Sequence, residues 1–538
     1  MVSLWGSKNG EQRQAEEEGE QPSHEPSRQS GGGGHEADER TRLLPPRNDG
    51  YLDPDDPAVC LALSHQVSPY NLWSVRALRY VNLLFLCISF LWWVLLLISI
   101  FISPPSMNSR GSGFFDFSYT TLTLGNLLLA LLFFSVPSKV MEWGSLILAF
   151  FLLVDMIVIC AVSRLRLEEG WPGIASVVWA TFMAIYNVVT DRVVAWGKRE
   201  EEVRLTGRRE SRRSLREWCA VLTASIIMVV LIIVSILLTA TLILRAKDAS
   251  LAPPGKRYDV NGGQYQLHFD CIGNITYGLN GKPNPTILLE GPGRPVEDSF
   301  TGWVHNAYKN GTIDRYCYYD RPGYAWSDNA PSPHSAGMTA NALAEVLARA
   351  GEEGPWILVS AGIGGIYSRI FSGWHKAGVK GLMLIDSMHE DLLHNVGSPT
   401  RGFLLWARGI ISPLGWDRVA GAIKGRSSED RVYGPVAYQN GKFIKARLQE
   451  NLVAESLTKS DVSQARTIQD EKTPLVIISS GIRVRTDRDW ERKQKDLTKL
   501  TDNLLGWDVV NAAPHEVWTV LQGRDILEKR LGELVKAS

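Results

Sequence analysis

The chain has 538 residues, 57 basic and 57 acidic, for a formal net charge of zero. That balance excludes a global electrostatic pull toward nucleic acid, and six cysteines in this length exclude a disulfide-dense scaffold. Charge and hydropathy are strongly segregated, so each segment has its own character.

Residues 1–78 read as a disordered cytosolic tail. They carry Glu16-Glu17-Glu18 and Gly31-Gly32-Gly33-Gly34 and lack the apolar residues that offset ordering entropy. The tail has neither the early apolar core of a secretory signal nor the acid-poor composition of a transit peptide. Glu39-Arg40-Thr41-Arg42-Leu43-Leu44 resembles an acidic dileucine sorting signal, which implies cytosolic sorting adaptors as partners.

Five apolar runs follow, at about 81–102, 119–136, 144–163, 174–189 and 219–244, each long enough to cross a bilayer. Residues 79–249 therefore read as an α-helical transmembrane bundle of about five spans, with membrane lipids as its surroundings. Arg76 and Arg79 precede the first run. The loop 192–217 after the fourth run is dense in basic residues, from Arg192, Lys198 and Arg199 to Arg212, Arg213 and Arg216. Basic loops stay on the cytosolic side, so with five spans the tail is cytosolic and the C-terminal half lumenal or extracellular. The loop is topogenic on this reading, and it also suits anionic head groups of the cytosolic leaflet. Asn274-Ile275-Thr276 and Asn310-Gly311-Thr312 are glycosylation candidates on the lumenal side. A vacuolar or other endomembrane location is expected, with a mitochondrial membrane as the alternative. Asp155 falls inside the third run, where a carboxyl is costly and often functional; the other reading is a neutral carboxyl paired within the bundle.

Residues 250–538 change pattern. The stretch 255–271 reads as a hairpin around Asn261-Gly262-Gly263, a strong turn signal. Short apolar strands follow at 286–290, 315–320, 356–360, 382–386, 475–479 and 507–511. Helical spacing appears at 340–350 and 526–535. Strands alternating with helices predict an α/β domain with a mostly parallel sheet covered on both faces. The long interval at about 390–472 contains Trp406, Ile410, Ile411 and Leu414 and is expected to form a helical cap, because long insertions in compact domains are usually lids or disordered. Cys271 and Cys317 fall on neighbouring strands and are expected to be a free buried pair rather than a bridge.

Two segments carry a resemblance. Tyr318-Tyr319-Asp320-Arg321-Pro322-Gly323-Tyr324-Ala325-Trp326-Ser327 is similar to the end of strand four in α/β-hydrolases. Ser360-Ala361-Gly362-Ile363-Gly364 is similar to their nucleophile elbow, which normally reads Gly-x-Ser-x-Gly. His515 falls where that fold delivers its catalytic histidine. The whole layout also resembles uncharacterised fungal integral membrane proteins. The resemblance implies an α/β-hydrolase fold with Gly362 in the nucleophile position. It implies Ile363 and Gly291 as oxyanion-hole candidates, with Glu290-Gly291 standing where the family has His-Gly. His515, Ser360, Asp386 and Glu290 are the remaining candidate catalytic groups, with Asp386 a substitute for an acid missing after strand seven.

Acyl transfer needs a nucleophile, a base, an orienting acid and an oxyanion hole. Glycine supplies no nucleophile. The first reading is therefore a non-catalytic binding or scaffold domain, with a small molecule or lipid in its cleft. The second is a membrane-bound hydrolase of esters, lipids or peptides using a displaced nucleophile or histidine-activated water. No metal, cofactor or nucleic acid is expected.

Overall fold

A computed structural model describes residues 73–107, 109–206, 215–278 and 281–538. The dileucine-like stretch at 39–44, Cys60 and the part of the basic loop at 207–214 lie outside the described residues. Five helices are long and apolar enough to span a bilayer: Trp73–Phe101, Phe114–Leu132, Lys139–Ala161, Ser163–Thr206 and Leu215–Asp248.

The fourth is longer than its apolar run. It is kinked at Gly170, where φ is 63°, two residues before Pro172, whose ring cannot continue the backbone ladder. The turns before the kink carry Arg164, Arg166, Glu168 and Glu169, which is why hydropathy alone starts the span at 174. The fifth helix has 34 residues and is thus about 50 Å long. That exceeds the ~30 Å hydrocarbon core, so its last turns project beyond it. Asp155 is fully buried and accepts from Tyr119 Oη of the second helix at 3.2 Å, which supplies the partner a carboxyl at that depth needs.

The C-terminal domain is built on an eight-stranded sheet in the order β1-β2-β4-β3-β5-β6-β7-β8. The strands are β1 Lys256–Val260, β2 Tyr265–Gly273, β3 Thr286–Glu290, β4 Arg315–Tyr319, β5 Trp356–Ala361, β6 Val379–Ile385, β7 Leu475–Ser480 and β8 Leu504–Val510. β2 pairs antiparallel with β1 and β4; every other pairing is parallel. This is the α/β-hydrolase topology, with an antiparallel hairpin at one edge.

Alternation along the strands fills two cores. Leu288, Leu358, Leu384 and Ile477 point to one face, against the helices Ala336–Ala350 and Gly364–Trp374. Ile287, Leu289, Val359 and Ile478 point to the other, against Thr301–Lys309 and Leu521–Ala537. Strands apolar on both sides are what a parallel sheet covered on both faces requires.

Cys271 and Cys317 form a disulfide, which corrects the expectation of a free pair. Their residues are direct partners in the β2–β4 register, with Cα atoms 4.0 Å apart. Close antiparallel opposition brings the two side chains together; strand adjacency without the register did not reveal it.

The insertion between β6 and β7 is helical, from Pro399–Ile411 through Gly441–Val453 to Lys459–Thr467. It rests on the membrane helices. Lys445 Nζ donates to Ile100 O at the end of the first helix. Phe114, which opens the second helix, lies so close to Gly409 that a Cβ there would be 2.1 Å from its ring. The domain is further tied to the bundle through Asp328, a buried carboxylate paired with Arg164 and, at 3.7 Å, with Arg110. The contacting ends belong to the C-termini of the first and fifth helices and the N-termini of the second and fourth. Successive helices therefore alternate in direction, as five crossings require.

Candidate functional site

β5 ends in a sharp turn at Gly362, where φ is +55°. Such backbone is strained for a residue bearing a Cβ and free of that penalty for glycine. The helix Gly364–Trp374 begins immediately after, with Ile363 at its N-cap. Backbone N–H groups at a helix start are ready anion donors.

The structure brings Gly362, His515 and Asp386 together. A Cβ built on Gly362 would lie 3.0 Å from His515 Nε2 and 3.8 Å from Pro292 Cβ. His515, in the loop after β8, holds its Nδ1 2.5 Å from Asp386 Oδ2. Asp386 follows β6 directly, is fully buried, and adopts a positive φ of 41°. Its Oδ1 accepts from Ser480 N at 3.1 Å and Trp490 Nε1 at 2.8 Å. These two bonds fix the carboxylate so that its second oxygen faces the imidazole.

Sequence reasoning missed Arg483. It lies in the short helix Gly481–Thr486 that begins directly after β7, where the fold usually places its acid. Its Nη1 stands 3.1 Å from His515 Nδ1 and 3.4 Å from Asp386 Oδ2. Its guanidinium lies 3.7 Å from the centre of the Trp490 ring. Arg483 thus competes with the imidazole for Asp386. Three residues of helical spacing after Ser480 were the only signal available for it.

Ser360 lies elsewhere. Its side chain is fully buried in β5 and its hydroxyl donates to Met383 O at 3.5 Å. The structure brings it to a neighbouring strand's backbone, not to His515.

Glu290 closes β3. Its Oε2 accepts from Tyr319 Oη, and its Oε1 is 3.3 Å from Arg321 Nε. Burial pushes its carboxyl up to about 7, against the opposing pull of Arg321 and Tyr319. Arg321 is held between the Tyr324 and Tyr367 rings, 4.6 and 4.7 Å from their centres. It donates to Pro292 O and pairs with Glu450 of the cap at 3.2 Å. Arg321 therefore braces the loop that contains Gly291, and Glu290 is committed to that brace.

The elbow glycines have a packing reason of their own. A Cβ on Gly364 would sit 2.3 Å from Gly291 O, and one on Gly365 would sit 1.7 Å from Ser387 Oγ. Both positions need glycine for the helix to approach β3 and β6, whatever the chemistry. The cap roofs this region: a Cβ on Gly293 would meet Arg447 Nη1 at 2.7 Å. Asn274 and Asn310 are exposed at the opposite end of β2 and after the helix Thr301–Lys309. Among the described residues no cluster of three or more metal-ligating side chains occurs.

A family model described as "Region of unknown function (DUF2417)" matches residues 39–271. An uncharacterised protein of Schizosaccharomyces pombe is 33% identical over 504 residues, covering 88% of this chain and 92% of that protein. An uncharacterised vacuolar membrane protein of Saccharomyces cerevisiae is 30% identical over 322 residues, 51% of this chain and 50% of that protein. Among solved structures, the Cif epoxide hydrolase from Acinetobacter nosocomialis gives a TM-score of 0.41 at 14% identity, over 56% of this chain and 96% of that one. The α/β hydrolase MGS-M2 from a deep-sea metagenome gives 0.36 at 14%, over 52% and 96%.

Proposed function

The chain belongs to the family of the Schizosaccharomyces pombe protein and joins five membrane-capable helices to an α/β-hydrolase-like domain, and on that premise we propose that this domain binds a ligand without hydrolysing it. The observation that carries the reading is the place of a Cβ at Gly362, 3.0 Å from His515 Nε2. The base is aimed at a position with no oxygen to deprotonate. The hydroxyl nearest in sequence, Ser360, is spent on Met383 O. The elbow glycines, which would otherwise argue for retained chemistry, are required by packing. What the cleft holds is then a small molecule or a lipid, roofed by the cap.

A second reading rests on the completeness of the Asp386–His515 pair, at 2.5 Å. An imidazole oriented by a carboxylate is a base for water as well as for serine. Losing one triad member typically leaves a rate of about 10³-fold over water, so this reading is a slow hydrolase of esters, lipids or peptides.

We place the domain in the lumen of a vacuolar or other endomembrane compartment. Three observations support this. The Cys271–Cys317 disulfide belongs in an oxidising compartment. Arg76, Arg79, Arg192, Lys198 and Arg199 lie at the helix ends away from the domain, as basic residues on the cytosolic side do. Both sequons are exposed on the domain's surface. The tail is then cytosolic, where the 39–44 signal would meet sorting adaptors.

The deciding experiment is fluorophosphonate labelling of the full-length protein. The wild type should remain unlabelled. Covalent labelling that Ser360→Ala removes would overturn the non-catalytic reading.

A further inference from the structure

A cavity of about 290 Å³ lies between the bundle and the cap, and neither Gly362 nor His515 lines it. Its walls come from the second, fourth and fifth membrane helices, from β1, from the loop after β4 and from the cap. Seven basic side chains line it against three carboxylates, Glu168, Asp248 and Asp417.

Some of these cations are matched. Arg164 pairs with Asp328 and, at 3.2 Å, with Glu168. Arg245 pairs with Glu168 at 2.9 Å and Glu169 at 2.6 Å. Arg431 holds Asp248 at 2.7 Å. Three are not. Arg418 reaches only the same Asp248, at 3.9 Å. Arg257 and Lys442 form no ion pair among the described residues; Lys442 Nζ donates to Ala325 O at 2.9 Å. Arg257 Nε, Arg418 Nε and Thr241 Oγ1 are buried with no hydrogen-bond partner among the described residues.

An unpaired buried cation and an unsatisfied buried donor both cost free energy. Here several converge on one cavity, and a polyvalent anion would answer them together. Guanidinium groups suit phosphate in geometry as well as charge. Burial already pulls Lys442 down to about 8 and Arg418 to about 10, a penalty that a bound anion would relieve.

The lining is also apolar on one side. Ile411 and Trp416 belong to it and are 53% and 60% exposed. Phe403, Leu404 and Ile423 of the cap are exposed as well. The cavity meets the starts of the second and fourth membrane helices and the end of the fifth, the ends that face the domain. Charged walls beside an exposed apolar rim match a molecule that is anionic at one end and apolar at the other.

We propose that this cavity binds a phosphate-bearing anion, the head group of a lipid in the leaflet facing the domain. The site couples the cap to that leaflet and does not depend on what occupies the cleft at Gly362.

The test uses full-length protein purified in a non-ionic detergent, with binding of phosphatidic acid, phosphatidylcholine and inorganic phosphate measured separately. Phosphatidic acid should bind at least tenfold more tightly than phosphatidylcholine. The double variant Arg418→Gln/Lys442→Gln should lose at least tenfold of that affinity while eluting and melting as folded protein. If it fails to fold, the exposed lining residue Arg408 takes its place, and Arg408→Gln should lose about threefold. Inorganic phosphate binding as tightly as the lipid, and lost in the variant, supports the anion site and overturns the lipid source. Equal binding of the two lipids with no phosphate binding, or affinities unchanged in a folded variant, overturns the proposal.

Discussion

His515 faces Gly362 with its Nε2 3.0 Å from where a side chain's first carbon would stand. The imidazole is oriented from behind by Asp386. The chain has kept the geometry of a base and acid around a backbone position without a nucleophile.

Gly362→Ser should therefore create a nucleophile where the wild type has none. The new Cβ requires the His515 ring to yield by a few tenths of an ångström, and its left-handed backbone costs about 1–2 kcal/mol. The expected result is covalent fluorophosphonate labelling of the variant, abolished by adding His515→Ala. An unlabelled, folded Gly362→Ser protein would mean that the amide donors at Ile363 no longer form a working oxyanion hole.

Glu290 should give the domain a pH signature. Its folded-state carboxyl is raised to about 7 by burial, so the folded form holds a proton that the unfolded form releases near its ordinary value of 4.5. Its contribution is present below about pH 4.5 and is lost as pH rises through about 7, by roughly 3 kcal/mol at most. Melting curves from pH 5 to pH 8 should fall more steeply with pH for the wild type than for Glu290→Gln. Parallel curves would show that Arg321 keeps the carboxyl ionised.

The disulfide predicts a thiol count. Denatured protein should gain two maleimide labels on reduction, and Cys271→Ser/Cys317→Ser should gain none. The double variant should lose about 2–4 kcal/mol of stability. Full labelling without reductant would place the domain in a reducing compartment and reverse the proposed orientation.

Glycosylation offers a separate check on topology. Treatment with an endoglycosidase should sharpen or shift the protein's band, and Asn274→Gln/Asn310→Gln should abolish the change. Protease reaching the domain from the cytosolic face of sealed vesicles would contradict the orientation outright.

Asp386→Ala should destabilise the domain by about 3 kcal/mol, because it strands the buried donors Ser480 N–H and Trp490 Nε1–H and frees Arg483; removing one partner of a buried ionic group costs on this order. Thermal unfolding of the purified full-length protein measures it. A loss no greater than that of an exposed control such as Asp489→Ala would show that Asp386 carries little structural weight.

Local patterning determined much of this protein on its own. Long apolar runs can only satisfy their backbone as helices in lipid, and short apolar runs between helical segments can only bury both faces in a parallel sheet. Five spans and a mostly parallel α/β sheet were thus legible from spacing and hydropathy, and the α/β-hydrolase fold with glycine at the elbow from the resemblance of two motifs. What depends on contacts between distant residues was not. At the start of the fourth helix, Gly170 breaks the helical backbone two residues before Pro172, so a short charged helical stretch precedes the apolar span that hydropathy detects. The register of β2 against β4, and no property of either strand, set Cys271 opposite Cys317. Arg483 joined Asp386 and His515, and unmatched cations from β1 and the cap met at the membrane helices' ends, only because the fold brings together side chains that the sequence keeps far apart.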